Sequence, residues 1–198
     1  MTTTIKAEDV MKLRESTGAG VMACKEALMK SGGDAKKALA VLKEKGLKTA
    51  ALKSLRKAKA GTIHSYIHHD SRIGVLVEVN CETDFVAKNE EFQTLAYNIA
   101  MQIAATNPQY LKMSDIPEMT KKEAEEVFAE EVEGKPADMK AKILEGKINA
   151  YFKDKVLLEQ AYIKNPEVTI NNLLESFIQK FGERTEIGRF SRIGVGQK

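Results

Sequence analysis

The sequence predicts an α+β fold, in which a three-helix N-terminal module precedes helices packed on a small antiparallel sheet. Within the first 46 residues, apolar side chains recur at helical spacing between glycine-containing breaks. Two β-branched runs, at 62–68 and 73–80, flank a four-residue turn, which is the pattern of a β-hairpin. The segment 170–181 has the strongest amphipathic helical pattern in the chain, and a strand-like segment follows at 186–195.

The N-terminal module is predicted to contain three short helices. The motif Thr17-Gly18-Ala19-Gly20 interrupts the first helical pattern, and a second helix is expected over about 21–30. Asp34 is a suitable N-cap for the third helix because its side chain can accept from exposed backbone N–H groups. Gly46 is expected to end that helix. A core this small is only marginally stable by itself.

A change in composition marks the predicted domain boundary. Residues 47–60 are rich in Ala, Lys and Leu and are interpreted as a basic linker, either helical or extended. The predicted organisation is therefore a three-helix module over 1–46, a linker over 47–60 and a core domain over 61–198.

The core domain continues with helices and one distant strand. Asn89 is the expected N-cap of the first of these helices, and Thr169 is the expected cap of the last. The last strand is expected to pair with the early hairpin, which gives helices on one face of a sheet. The expected elements are a helix over 90–105, a helical hairpin near 121–132 and 137–158, a helix over 170–181 and a strand over 186–195.

The composition indicates a globular, intracellular protein. Hydrophobic residues make up 43% of the chain and charged residues 30%. No apolar run approaches the roughly 20 residues that a membrane helix needs, and the N-terminus lacks the apolar segment of a signal peptide. We therefore expect a cytoplasmic location without membrane contact. Cys24 and Cys81 are expected to be unpaired in a reducing cytosol.

The charge is unevenly distributed along the chain. Residues 1–60 carry 14 Lys and Arg against 6 Asp and Glu, whereas 61–198 carry 17 against 22. The basic N-terminal part is consistent with an acidic partner, either nucleic acid or a protein surface, and equally with a solvated helical face. The chain has no Trp and only 6% aromatic residues, which argues against a base-stacking platform.

Two groups of reactive side chains are candidates for a metal site or a catalytic site. His64 and His68 share one strand face and, with Cys81 or a carboxylate, would supply zinc ligands, but their spacing is not distinctive. Cys81 near these histidines resembles a nucleophile pair, yet nothing marks an oxyanion hole. The sequence also lacks the phosphate-binding glycine motifs of nucleotide-binding proteins. We expect no catalytic residue, no metal site and no cofactor.

The segment 81–89 lies between a buried strand and an amphipathic helix. If Asn89 caps that helix, Thr83 to Lys88 form a connecting loop. Phe85 is then either tucked under the loop or presented outward beside Asp84, and the pattern leaves both alternatives open. An outward aromatic beside a carboxylate is typical of a protein interface.

Two segments of this chain resemble the signatures of the elongation factor Ts family. They are Leu13 to Leu28, which reads LRESTGAGVMACKEAL, and Glu78 to Ala87, which reads EVNCETDFVA. The stretches Leu157 to Gln160 and Arg189 to Gly196 are also similar to the family, so the resemblance spans nearly the whole chain. The chain resembles the short bacterial-type form.

The resemblance implies a set of contacts with the translational GTPase elongation factor Tu. The family's Thr-Asp-Phe-Val loop enters the GTPase domain near its magnesium ion. Carried over, Phe85 is a wedge between two helices of that domain, Asp84 makes polar contacts beside it, and Thr83 and Val86 complete the insertion.

The resemblance also assigns a contact to the N-terminal module, which is expected to be ubiquitin-associated-like. Arg14, Val21 and Met22 are expected to meet the phosphate-binding side of the GTPase domain. The family often has Met where Val21 stands, so we expect a weaker contact at this position.

The implied function is guanine nucleotide exchange in translation elongation. The protein is expected to bind elongation factor Tu in its GDP-bound and nucleotide-free states, to displace magnesium and to promote GDP release so that GTP can bind. Because the chain holds only half of the core found in long relatives, a homodimer is expected. No direct contact with nucleic acid is expected. The alternatives are an RNA-binding protein and a peptide-binding adaptor that use the basic N-terminal module.

Overall fold

The structure, a computed structural model, describes residues 5–17, 19–53, 57–131 and 137–197. These residues form eight α-helices and five β-strands, and the sheet is small and antiparallel, which confirms the predicted α+β fold. The helices are α1 (Ala7–Thr17), α2 (Val21–Lys30), α3 (Ala35–Lys53), α4 (Asp84–Ala87), α5 (Glu90–Thr106), α6 (Glu118–Glu131), α7 (Ala137–Lys153) and α8 (Ile170–Phe181). The strands are β1 (Ala60–Ile67), β2 (Ile73–Cys81), β3 (Ala161–Tyr162), β4 (Asn165–Thr169) and β5 (Glu186–Gly194).

Helices α1, α2 and α3 pack around a small apolar cluster of their own. Asp34 caps α3 as predicted, because its Oδ1 accepts from the backbone N–H groups of Lys36 (2.9 Å) and Lys37 (3.1 Å). Gly18, part of the predicted break after α1, lies outside the described residues. The buried members of the cluster are Val10, Leu13, Ala19, Cys24, Ala27, Leu28, Ala38 and Leu42.

Gly46 does not end α3, so this part of the prediction is wrong. The helix continues to Lys53, while residues 54–56 of the predicted linker lie outside the described part of the chain. Gly46 lies within α3, where it faces the Gln179 side chain of α8. A Cβ at Gly46 would fall 1.6 Å from Nε2 of Gln179 on α8, so the flexible Gln179 side chain would have to move to admit a larger residue.

The three-stranded sheet has the order β1-β2-β5, which confirms both the hairpin and its distant third strand. The hairpin turn is closed by a hydrogen bond from the His68 N–H to the Ile73 carbonyl (2.9 Å). Along β2, Val75 and Val77 are buried and Leu76 is exposed, because side chains of a strand alternate between its faces.

The chain divides into two compact units. The first comprises residues up to Ile63 together with Glu78–Ala96 and Asn172–Gly188, and the second comprises His64–Val77, Tyr97–Asn171 and the residues from Arg189 onward. The first unit contains the three N-terminal helices, α4, the start of α5 and nearly all of α8. Lys180 on α8 and Glu91 on α5 form an ion pair within it.

The second unit contains the predicted helical hairpin, formed by α6 and α7. Residues 132–136, which connect these helices, lie outside the described residues. Helix α7 ends at Lys153, five residues before the predicted end at 158. The chain departs from the helix there because the Lys155 carbonyl accepts from the backbone N–H groups of Gln109 (2.8 Å) and Tyr110 (3.0 Å).

A buried glutamine organises a short β3–β4 ribbon in the second unit, which the sequence did not predict. The Gln102 side chain is fully buried on α5 and accepts from the Ile163 N–H at 2.9 Å. Its amide donates to Gln160 Oε1 and to the Ala161 carbonyl, both at 3.1 Å. Because buried polar groups need partners, these bonds fix the ribbon against α5.

None of the described helices is long and apolar enough to cross a lipid bilayer.

Candidate functional site

Helix α4 occupies the segment that was predicted to be a connecting loop over 83–88. Thr83 has an extended backbone (φ −130°, ψ 152°), and its Oγ1 accepts from the Val86 N–H at 3.4 Å. This is the geometry of a helix N-cap, and it starts a single helical turn directly after β2. The Lys88 N–H donates to the Asp84 carbonyl at 3.1 Å, where the turn ends. Asn89 then caps α5 as predicted, because its Oδ1 accepts from the Glu91 N–H at 2.9 Å.

Phe85 points outward, which decides between the two alternatives that the sequence left open. Its side chain is 84% exposed, and Thr83 and Asp84 beside it are also exposed. Val86 is only 3% exposed and packs inward together with Ala87. The turn therefore presents an aromatic ring and a carboxylate outward and is anchored by two apolar side chains beneath them.

Glu183, in the connection between α8 and β5, holds the N-terminal side of this turn. Its Oε2 accepts from the backbone N–H groups of Thr83 (3.0 Å) and Glu82 (3.2 Å), and its Oε1 accepts from the Thr83 hydroxyl (2.7 Å). In return, the Glu82 carboxylate accepts from the Arg184 N–H at 2.7 Å. Sequence reasoning missed Glu183 because it lies 100 residues after Thr83, and no spacing signal connects them.

Gln93 holds the C-terminal side of the same turn. Its side-chain amide donates to the Ala87 carbonyl at 2.5 Å, and its Oε1 accepts from the Thr62 hydroxyl at 3.3 Å. Charged or polar side chains thus restrain both ends of α4. A four-residue helix has little stability of its own, so these bonds and the buried Val86 determine its position.

Cys81 is buried at the end of β2, directly before the turn. Its thiol donates to the Thr83 carbonyl at 3.2 Å. Burial raises the pKa of the Cys81 thiol to about 11, and the negative charge of Glu183 adds to this shift. A thiol that stays protonated at neutral pH is a poor nucleophile, so Cys81 acts here as a packing residue.

We expect the Cys81 thiol of the native protein to react slowly with iodoacetamide. At pH 8 about one thiol in a thousand is ionised when its pKa is about 11, and only the thiolate reacts. Alkylation at pH 8 should be at least about tenfold slower than in the urea-unfolded chain, and it should accelerate about tenfold per pH unit between 8 and 10. Mass spectrometry of the peptide that contains Cys81 measures both rates. Equal rates for native and unfolded protein would contradict the prediction.

The N-terminal candidates Arg14, Val21 and Met22 are all exposed. Arg14 lies in the last turn of α1, and Val21 and Met22 form the start of α2. They therefore flank the break between these helices. Met22 is 67% exposed and Val21 beside it is 45% exposed, so the start of α2 offers apolar surface to solvent.

The candidate metal ligands His64 and His68 both contact tyrosine side chains. The Tyr66 hydroxyl lies 3.1 Å from Nδ1 of His68, and His64 packs edge-on against Tyr97 with ring centroids 5.5 Å apart. Within the described ranges, no group of three or more His, Cys, Asp and Glu side chains is placed to hold a metal ion.

Comparisons with known proteins identify relatives over nearly the full chain. The family model described as Elongation factor TS matches residues 7–197. A protein named Elongation factor Ts from Thermodesulfovibrio yellowstonii is 51% identical over 194 residues, which cover 98% of this chain and 97% of the relative. Proteins of the same name from Carboxydothermus hydrogenoformans and Caldanaerobacter subterraneus subsp. tengcongensis are 49% and 50% identical. They are matched over 98% of this chain and over 90% and 98% of their own lengths.

Proposed function

Because the chain belongs to the elongation factor Ts family, we propose that it is the guanine nucleotide exchange factor of elongation factor Tu. Family membership implies a nucleotide-exchange role in translation elongation. In the proposed cycle, the protein binds GDP-bound elongation factor Tu in the cytoplasm, displaces its magnesium ion and speeds the departure of GDP. GTP then binds the vacated site. No covalent bond is made or broken.

The observation that carries the proposal is the outward position of Phe85 on a restrained turn. A ring that is 84% exposed contributes little to the stability of the folded chain, whereas it offers a large apolar surface to a partner. Restraint at both ends of α4 means that little backbone conformational entropy is lost when the ring enters the partner. These are the properties that a wedge requires.

The neighbours of Phe85 have separate proposed roles. The exposed carboxylate of Asp84 makes polar contacts beside the inserted ring. Thr83 caps the turn and lies at the edge of the contact. Val86 completes the insertion by anchoring the turn beneath the ring, because its side chain is buried in this protein.

The expected effect on the partner follows from magnesium chemistry and linkage. Magnesium bridges protein and phosphate oxygens and neutralises part of their charge, so a shift of the element that holds the ion weakens GDP binding. A wedge produces this shift only if it binds the distorted state more tightly than the GDP-bound state. By reciprocity, GDP weakens the binding of the exchange factor by the same factor, and each ligand promotes the release of the other.

The N-terminal module supplies a second proposed contact. Arg14, Val21 and Met22 meet the phosphate-binding side of the GTPase domain. Because both contacts belong to one chain, binding through one of them raises the effective concentration of the other at the partner's surface. We propose that the chain divides functionally into the module over 1–46, a basic linker over 47–60 and the core domain over 61–198.

Fluorescent GDP release from elongation factor Tu tests the proposed function. Elongation factor Tu carrying the labelled nucleotide is mixed with excess unlabelled GDP by stopped flow, with and without this protein. We expect release to accelerate by orders of magnitude. Unchanged release from the cognate partner would refute the exchange function. Salt-dependent binding to RNA would then support the alternative that the basic N-terminal segment favours.

We also propose that the protein acts as a homodimer. In the second unit, the strands of the sheet carry exposed apolar side chains at Ile67, Leu76 and Ile193, and exposed Val195 directly follows β5. We term these four residues the outer sheet patch. Leu76 is 54% and Ile193 is 73% exposed, although both are β-strand residues that favour burial. The Ile67 side chain lies across Gly74, where a Cβ would be 3.1 Å from its Cδ1, so the patch is continuous at this point. A second copy of the chain is the proposed cover.

Replacing Leu76 by lysine should convert the dimer into a monomer. A lysine within the outer sheet patch would place a charge in the proposed apolar interface, which costs several kcal/mol. Size-exclusion chromatography with light scattering, at about ten micromolar protein, reports the mass. The control is Met119→Lys, which adds the same charge at an exposed apolar site on α6. A wild-type mass equal to one chain would overturn the proposed dimer.

A further inference from the structure

We infer that Glu183 is a positioning residue for nucleotide exchange: it fixes the turn that presents Phe85. The inference rests on the proposed exchange function and adds a residue that is distant from the Thr83–Val86 segment in sequence. It follows from the hydrogen bonds that converge on one carboxylate.

The carboxylate of Glu183 satisfies three donors from two adjacent residues. Two are backbone N–H groups, of Glu82 and Thr83, and the third is the Thr83 hydroxyl. Hydrogen bonds to an ionised carboxylate are roughly twice as strong as neutral ones. They fix both the backbone that enters α4 and the rotamer of its capping side chain.

The Thr83 hydroxyl connects this carboxylate to the helix itself. Its single hydrogen is donated to Glu183 at 2.7 Å, so its lone pairs remain to accept from the Val86 N–H at 3.4 Å. The start of the turn, its cap and its buried anchor are therefore linked to Glu183 through one chain of bonds. Phe85 lies within this turn and, being exposed, has no packing of its own to hold it in place.

Removal of the carboxylate should loosen the turn without unfolding the protein. Thr83 is exposed and Glu183 is only partly buried, so water can replace the lost acceptor. The exchange-competent position of Phe85 would then be populated for only a fraction of the time. The apparent affinity for the partner falls by that fraction, whereas the rate at saturation is retained because binding itself reorders the turn.

The distinguishing readout is therefore the half-saturating concentration and not the maximal rate. For Glu183→Ala we expect the half-saturating concentration in stimulated GDP release to rise about tenfold, with a maximal rate within about twofold of wild type. Glu183→Gln keeps an accepting oxygen and similar shape, so it should recover most of the loss. Glu91→Ala is the matched control, because it removes an equal charge whose partner is Lys180 and not the turn.

Hydrogen exchange of the isolated protein tests the same inference without the partner. In Glu183→Ala the amides of Glu82, Thr83 and Val86 should exchange at least about tenfold faster, while the amides of α2 remain unchanged. Unaltered exchange at these three amides would overturn the inference. Faster exchange combined with a wild-type half-saturating concentration would overturn it as well.

Failure of this inference is distinguishable from failure of the proposed function. If wild-type protein stimulates release and Glu183→Ala matches it at every concentration, only the role of Glu183 is refuted. If wild-type protein does not stimulate release at all, the exchange function is refuted and the positioning role is refuted with it.

Discussion

Replacing Phe85 by alanine should lower the maximal rate of stimulated GDP release from elongation factor Tu by about a hundredfold. This loss corresponds to about 2.7 kcal/mol of transition-state stabilisation, which is typical of a central aromatic anchor in an interface. The free energy of unfolding should change by less than about 0.5 kcal/mol, because the ring is 84% exposed and contributes little to the core. The variant should therefore lose most of its exchange activity while it keeps its folding stability.

Stopped-flow release of fluorescent GDP, measured over a series of exchange-factor concentrations, tests this prediction. Phe85→Leu retains apolar volume and should recover part of the rate. Met119→Ala is the matched control, because it truncates another strongly exposed apolar side chain far from the turn in sequence. A Phe85→Ala variant with the wild-type maximal rate would show that Phe85 is not the wedge.

Replacing Phe92 by alanine should have the opposite effect, a large loss of stability with little loss of intrinsic activity. Phe92 lies in the first turn of α5 and is fully buried. Truncation of a buried phenylalanine removes its transfer free energy and leaves a cavity, so the free energy of unfolding should fall by about 3–5 kcal/mol. For a chain of this size the melting temperature should fall by about 10 °C.

Urea unfolding followed by circular dichroism measures the expected loss. Phe92→Leu, which fills much of the same volume, should cost only about 1–1.5 kcal/mol. At a temperature where Phe92→Ala remains folded, its maximal rate of stimulated GDP release should lie within about twofold of wild type. A stability loss below 1 kcal/mol would contradict the packing role of Phe92.

The elements with a clear hydrophobic period could be predicted from the sequence. Helix α8 was expected over 170–181 and was found at Ile170–Phe181, because its apolar residues repeat at helical spacing along the whole segment. Strand β5 was placed beside the hairpin because a strand with no neighbour in sequence must pair with a distant one. Asp34 and Asn89 were assigned as caps from side-chain chemistry that acts over two or three residues.

The features that the sequence did not reveal depend on contacts between distant residues. Gly46 was expected to stop α3 because glycine commonly follows a helix, but α3 continues to Lys53 and Gly46 lies against the Gln179 side chain of another helix. Local pattern left the direction of Phe85 open, since that direction depends on Val86 filling the core below. Glu183 carries no local signal at all. Only the folded structure shows that Glu183 accepts a hydrogen bond from Thr83.

The distance in sequence between Thr83 and Glu183 has a consequence for biosynthesis. A ribosome adds roughly 5–20 residues per second, so Glu183 is polymerised roughly 5–20 seconds after the turn that it holds. Throughout that interval the nascent chain carries Phe85 without its distant carboxylate. With this topology, the turn that carries Phe85 gains its hydrogen bonds to Glu183 late in synthesis, and a chain released before residue 183 would never form them.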